Sequence, residues 1–376
     1  MSVLFDMPTR RQVLTSAATV AFGLAAITKF AAASSQRPDV KKPRSIVTWG
    51  QSNGSYIVNF AAEPWDRAMA QLISGSDVRI VQGATAGSFL RGSSARDGDS
   101  YWVDQRTGQD RFGPAGIFFE AAIREELRQG REICAFVGAG HESEAGKLNS
   151  SVDQLRYELA QAWVFEKARS IVAEAGLQPP PVFISPIGRR GEPDYRFSDG
   201  VQSIRRIQNK LVATRDWLHL LPETYDIPTD GGAHLRTKEE PNGYVLAAPR
   251  QTRKIAQTLG APIHGGVDGP RIVRVRRRAD QVTVSIELDG GTTLRAAGAI
   301  DGFRYRIAGT DIPISDVQLT GPTEVRFKLP RSRPRGTEML FYGYGALTGT
   351  EPGRILRDDQ DVALPLRWFE GSPTIE

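Results

Sequence analysis

The 376-residue sequence predicts a three-layer α/β/α domain with a flavodoxin-like parallel sheet, followed by an antiparallel β-sandwich. Three observations carry that reading. Up to about residue 260, five short apolar runs alternate with amphipathic helical stretches, as crossover-connected parallel strands require. Small polar, Gly-rich loops follow those runs, where open α/β sheets place their ligand sites. After Pro270 the helical period disappears and apolar and polar residues alternate between Gly- and Pro-rich turns.

Residues 1–33 stand apart from the fold. Arg10-Arg11 precede a weakly hydrophobic Ala-, Thr- and Gly-rich stretch and then Ala31-Ala32-Ala33, the pattern of a twin-arginine signal peptide cleaved near Ala33. The apolar stretch is short for a membrane span of roughly 20 residues, so no stable span is expected after processing. The expected location is periplasmic or secreted, and the export machinery is the implied partner. Residues 34–44, with Pro38 and Pro43, read as a linker.

The first domain is expected over 45–264. Its strands are Ser45–Trp49, Asp77–Gln82, Ile133–Val137, Val182–Ile187 and Trp217–Leu221. Phe112-Gly113-Pro114 opens a helix whose expected inner face is Ile117, Phe118, Ala121 and Ala122, ending near Gly130. Asp153 to Gly176 carries Leu155, Leu159 and Trp163 at i, i+4, i+8, and Ile204, Ile207 and Leu211 stripe the next helix. Tyr244 to Gly260 forms the last, with Pro249 kinking it or marking a late start. The sandwich is expected over 268–376, with strands at Arg271–Arg278, Val282–Leu288, Phe303–Ile307, Val325–Leu329 and Glu338–Tyr344. Arg271, Arg274, Arg276 and Arg278 then lie on the solvated face of its first strand.

Composition narrows the function. The chain is 40% hydrophobic and 24% charged with a net charge of +5, and its basic residues are dispersed, which argues against nucleic acid as partner. One cysteine, Cys134 in an apolar run, excludes an internal disulfide and a multi-cysteine metal site, and reads as a buried thiol.

The chemistry concentrates in four loops. Ile46–Ile57 reads IVTWGQSNGSYI, a strand breaking into a polar knot with Ser52 at its centre, where α/β folds place nucleophiles. A serine nucleophile needs a base, an orienting acid and an oxyanion hole. Of four histidines, His219 lies within a strand and reads as a packed core residue, and His264 leaves the domain in a loop. His234 follows Asp230 on the loop after the fifth strand, close enough in sequence for the carboxylate to fix the imidazole tautomer. Gly83–Ser88 contains Gly87, able to offer an unobstructed N–H, and Gly138–Ala145 carries His141 and Glu142.

Gly-Gln-Ser-Asn, a Gly-Ser loop, Gly-His-Glu-Ser-Glu and a late Asp…His, in this order, resemble the SGNH hydrolases, most closely the sialate O-acetylesterase and carbohydrate esterase family 6 branch. The resemblance covers about residues 44 to 260 and also includes the Phe112-Gly113-Pro114 helix start and Ile204–Gln208. It implies Ser52 as nucleophile and oxyanion donor, Gly87 as second donor, His234 as base and Asp230 as orienter, with no cofactor and no metal. Two features depart from the pattern: three residues rather than two separate Asp230 from His234, and the side-chain amide expected in the third block is missing. His141 is offered as a replacement donor and Glu142 as an alternative acid. The expected activity is removal of O-acetyl groups from a polysaccharide or glycan. A binding protein on a degenerate fold, or acetyl transfer by the same residues, are the alternatives. Trp49, Tyr56 and the loop Gly188–Phe197 are further candidates for sugar contacts.

Overall fold

The computed structural model describes residues 42–376 apart from 74–76, 93–99, 107–108, 189–197, 231, 346 and 348–350. The twin-arginine segment, the 34–41 part of the linker and most of the 188–197 loop therefore lie outside the described residues.

Five strands make a parallel sheet: β1 (Arg44–Gly50), β2 (Val78–Val81), β6 (Glu132–Ala139), β7 (Val182–Ser185) and β8 (Leu218–Leu220). Their order, β2-β1-β6-β7-β8, is the flavodoxin-like one, and every pairing is parallel. Helix α1 (Ser52–Leu72) and α5 (Gly243–Thr258) cover one face, packing Ile57, Trp65, Met69, Tyr244 and Ile255 against it. On the other face, α2 (Pro114–Arg128), α3 (Ser151–Glu174) and α4 (Ser198–Ala213) bury Phe119, Ile123, Tyr157, Phe165, Ile204 and Leu211. Between β2 and α2 lies a small three-stranded sheet of β3 (Phe89–Gly92), β4 (Tyr101–Asp104) and β5 (Arg111–Phe112), outside the expected elements.

Two expected helix faces are corrected. Ile117 and Phe118 point to solvent at 58% and 48% exposure, and α2 packs through Ala115, Phe119 and Ile123 instead. On α3, Leu155 and Leu159 are exposed, while Tyr157, Ala160, Val164, Phe165 and Ala168 face the sheet. Small alanines let the helix axis approach the sheet, so its inner face carries less obvious hydrophobicity than its outer one. The stripe Ile204, Ile207, Leu211 is buried as expected.

Pro64 stands inside α1, and a proline there leaves the carbonyl four residues earlier without its helical N–H. That carbonyl, Phe60 O, instead accepts from Asn242 Nδ2 at 3.3 Å, while Asn242 Oδ1 caps α5 through the N–H groups of Tyr244 and Val245. One side chain thus ties together the two helices on that face.

From Arg271 to Ile375, the described residues form a five-stranded sheet, a four-stranded sheet and a short two-stranded ladder of Leu294–Arg295 with Arg357–Asp358, around one core that includes Val275, Val284, Leu294, Phe327, Tyr305, Leu340 and Tyr342. Their pairings are antiparallel except for the last strand, Thr374–Ile375, which joins Arg271–Arg278 in parallel. Arg271, Arg274 and Arg278 are exposed on that strand.

This β-region docks on α4. Arg205 of α4, 1% exposed, donates to the carbonyls of Ile187 and Gly188 on one side and of Gly343 and Gly345 on the other. Gln202 and Arg206 bond Glu370, and Tyr225 donates to Leu366 O.

Candidate functional site

The strand β1 ends where the chain must turn sharply. Gly50 has φ +95°, and a Cβ there would lie 2.3 Å from Ala139 O on the neighbouring strand. A Cβ on Gly54 would lie 2.2 Å from Trp49 O. Both glycines let the backbone fold back on itself, so Ser52 opens α1 at the carboxyl edge of the sheet. The site sits between β1 and β6, where the strand order reverses.

At the first turn of α1 the backbone N–H groups have no helical partner, and the helix dipole adds positive potential there. Ser52 is part-exposed, and its Oγ lies 2.7 Å from His234 Nε2. His234 Nδ1 is 3.5 Å from Asp230 Oδ2. The lengthened Asp–His spacing closes because the loop is pinched: Thr229 bridges Leu235, Asp230 N–H donates to His234 O at 3.1 Å, and Gly232 N–H donates to Asp230 Oδ1 at 3.1 Å. Tyr56, one turn beyond Ser52, packs its ring 4.7 Å from the imidazole.

Glu142 is buried and holds the residues on either side of the candidate nucleophile. Its carboxylate accepts from Gln51 Nε2 and, at 2.7 Å, from Asn53 Nδ2, the amides flanking Ser52. Ser143 Oγ donates to Gln51 Oε1 at 2.9 Å. Asn53 Nδ2 also reaches Ala233 O at 3.1 Å, and its Oδ1 accepts from Tyr244 Oη at 2.5 Å. Among the described residues, the carboxylate within ion-pair distance of His234 is Asp230. Sequence reading missed these roles for Gln51, Asn53 and Tyr244, although the amides on both sides of Ser52 were visible as a signal.

Gly87 lies in an exposed turn after β2, with φ +72° and open space around its Cα. The turn is held by Ser88, whose N–H and Oγ both bond Thr85 O, and by Trp102 Nε1, which donates to Ser88 Oγ at 2.9 Å. The N–H groups of Ala86 and Gly87 make no backbone hydrogen bond within the described residues.

His141 is placed differently from expectation. Its ring has no exposed surface and packs 6.1 Å from Trp49 and 5.8 Å from Trp102, with neither nitrogen hydrogen-bonded. Burial pushes its pKa down to about 3, so the ring is neutral. A ring with no exposed surface does not line the cleft, so this conformation offers no oxyanion donor at His141. Trp49 is also buried, its indole N–H bonded to Phe183 O at 3.1 Å, which removes it as a sugar platform. His219 packs on Phe183, His264 is exposed, and Cys134 is buried with its thiol pushed up to about 12 by desolvation. Among the described residues, no group of three or more His, Cys, Asp or Glu is arranged to hold a metal.

The chain matches no protein-family model and no curated protein. Among solved structures it is similar to a carbohydrate acetylesterase from Xanthomonas citri, with a TM-score of 0.56 and 15% identity over 87% of this chain and 80% of that one. An aryl esterase from M. smegmatis aligns over 57% of this chain and 98% of its own, with TM-score 0.38 and 10% identity. A carbohydrate acetylesterase family member from Sinorhizobium meliloti aligns over the same shares, 57% and 98%, with TM-score 0.35 and 12% identity. At these identities the first likeness is one of fold, and it extends across both the parallel sheet and the β-region.

Proposed function

From a chain with the fold of the SGNH hydrolases, we propose an exported serine esterase that removes O-linked acetyl groups from a carbohydrate. The observation that carries this reading is the line Ser52 Oγ, His234 Nε2 and His234 Nδ1, Asp230 Oδ2, at 2.7 and 3.5 Å. Nucleophile and base are within hydrogen-bond reach, and the base faces a carboxylate that favours the Nδ1–H tautomer.

Ser52 Oγ attacks the acyl carbon as His234 Nε2 takes its proton. The oxyanion sits against the free N–H of Ser52 at the start of α1 and the N–H of Gly87. His234 then protonates the departing sugar oxygen, leaving an acyl-Ser52. Water attacks that ester, its proton passes to His234 and on to Ser52, and acetate leaves. Glu142 is assigned to holding the nucleophile's neighbours rather than to orienting His234, because its carboxylate is bonded to Gln51 and Asn53.

The carbohydrate as substrate rests on the motif order around Ser52 and on a fold shared with a carbohydrate acetylesterase. Export rests on Arg10-Arg11 and the small-residue stretch that follows. Acetate release from acetylated polysaccharides by wild type and by Ser52→Ala tests the activity. Serine-dependent release supports it; binding of the polysaccharide with no release by wild type rejects the esterase.

A further inference from the structure

An aromatic cluster borders the candidate base on the flank of α1 that faces α5. Tyr56 stands one turn beyond Ser52 and packs its ring 4.7 Å from the His234 imidazole. Phe60, one turn further along α1, meets Tyr56 edge-on at 5.1 Å. Phe60 also stacks on Tyr244 at 6.1 Å and 22°, and Tyr56 meets Tyr244 edge-on at 5.7 Å. These are separations at which aromatic rings attract, so the three side chains brace one another. Tyr244 is buried at the start of α5 and donates to Asn53 Oδ1 at 2.5 Å, which ties the cluster to the residue after Ser52. Tyr56 is part-exposed, and Phe60 is 40% exposed. A phenyl held by two tyrosines yet open to solvent is a preformed apolar surface, and this one is continuous with the base.

Helix geometry sets the direction of that surface. At about 100° and 1.5 Å per residue, Tyr56 lies roughly 40° around α1 from Ser52, and Phe60 roughly 80° in the same sense. They also stand roughly 6 and 12 Å further along the axis. The surface therefore starts at His234 and leads away from it along α1. The loop that bears Gly87 meets α1 on the opposite flank, where Ser55 Oγ donates to Ala84 O at 3.1 Å. Ser52 thus stands between the oxyanion donors on one flank and the base with its aromatic strip on the other.

That division assigns the parts of the substrate. The oxyanion belongs with the N–H groups of Ser52 and Gly87. The leaving oxygen must come to His234 Nε2, which protonates it, so the sugar that carries this oxygen lies on the His234 flank. A pyranose shows C–H groups on its faces and hydroxyls around its rim. It packs a face on an aromatic ring while the rim stays hydrated. We propose that Tyr56 and Phe60 form a leaving-group subsite: Tyr56 takes the sugar that bears the acetyl, and Phe60 takes the adjoining sugar of the chain. The inference rests on the Ser52 esterase proposed above and names the residues that select its alcohol. A small alcohol does not reach Phe60, whereas a second sugar ring buries apolar surface on it. Because the rings are already braced, little side-chain entropy is lost when the sugar packs.

The test is kcat/KM for acetylated xylotetraose, acetylated maltotetraose and ethyl acetate, with wild type, Phe60→Ala, Phe60→Leu, Phe60→Trp and Ser52→Ala. The readout is the ratio of the better tetrasaccharide to ethyl acetate, because a change that merely disturbs the base lowers both together. Phe60→Ala is expected to lower that ratio by about tenfold, mainly through KM, since the packing is the same in ground and transition states. Phe60→Leu keeps an apolar contact with Tyr244 without the flat face, and should lower the ratio in the same direction. Phe60→Trp keeps a flat ring and should hold the ratio within about threefold of wild type. A ratio unchanged in Phe60→Ala and Phe60→Leu overturns the subsite and leaves the esterase standing. So does a wild type that hydrolyses ethyl acetate, dependent on Ser52, as well as it does either tetrasaccharide. A ratio lost equally in Phe60→Trp overturns the stacking role. No Ser52-dependent hydrolysis of any of these esters overturns the esterase, and the subsite with it.

Discussion

Asn53 Nδ2 donates to Glu142 Oε1 at 2.7 Å, so the residue after the candidate nucleophile is anchored to the loop beyond β6. Gln51, on the other side of Ser52, is anchored to the same carboxylate. Hydrogen bonds to a buried charge contribute about 1.5–3 kcal/mol each, and losing the charge leaves both amides short of an acceptor. Glu142→Ala is expected to lower the melting temperature and to cut kcat by misplacing Ser52, without moving the pH limb that reports His234. Asp230→Asn is expected to cost roughly 10⁴ in kcat, by analogy with the aspartate of serine proteases, while the fold keeps its stability. The paired pH–rate and melting profiles separate the roles. A greater kcat loss in Glu142→Gln than in Asp230→Asn would return the orienting role to Glu142.

Ser52 and His234 are expected to act as a unit. Each alanine substitution should lower kcat by several orders of magnitude, and the double mutant should be little worse than either single one. A fluorophosphonate should label wild type on Ser52 and leave Ser52→Ala unlabelled. Additive losses, or labelling elsewhere, would reject the arrangement.

The sheet and the positions of the four loops were legible in the sequence because parallel strands buried on both faces read as short apolar runs. Helix α1 was not. It begins Ser-Asn-Gly-Ser and contains Pro64, which by propensity argue for a turn; its stability comes from packing Ile57, Trp65 and Met69, with Asn242 taking up the carbonyl that Pro64 orphans. The faces of α2 and α3 were misread because Leu155, Leu159, Ile117 and Phe118 outweigh the alanines that pack inward. The candidate triad's members could be listed from the sequence, but the clamp between Glu142 and the amides around Ser52 depends on β1 lying beside β6, a long-range pairing that local pattern does not encode.

Arg205 is expected to be a main bond between α4 and the β-region. Its guanidinium spans two loops, with 2.8 and 3.0 Å bonds to Ile187 O and Gly188 O and a 2.7 Å bond to Gly345 O. Burial lowers its pKa, yet the group stays charged because a guanidinium holds its proton far above neutral pH. Arg205→Ala strands these carbonyls and should destabilise the fold by about 3 kcal/mol or more in urea titration. Arg205→Lys should recover little of it, since a single ammonium cannot replace the planar fork that bonds both loops. Full stability of Arg205→Lys would show that the charge matters and the fork does not.

His141 provides a pH signature that is distinct from the catalytic one. Its folded pKa, about 3, lies below the ordinary value of 6.5 because the ring is desolvated between Trp49 and Trp102. Above pH 6.5 the ring is neutral in both states, and its ionisation makes no contribution to stability. Below it the unfolded chain takes up a proton that the folded chain refuses until near pH 3, so stability falls as pH falls, by roughly 1.4 kcal/mol per unit. His219, also lowered by burial, contributes in the same direction and is cancelled by comparing variant with wild type. His141→Phe keeps an aromatic ring where neither nitrogen has a partner, and should gain about 2–3 kcal/mol on wild type between pH 6.5 and 4.5. Its kcat should stay within about tenfold of wild type, whereas removing an oxyanion donor costs roughly 10²–10³. An unchanged pH dependence together with a loss of that size would bring His141 out of the core and back into the oxyanion hole.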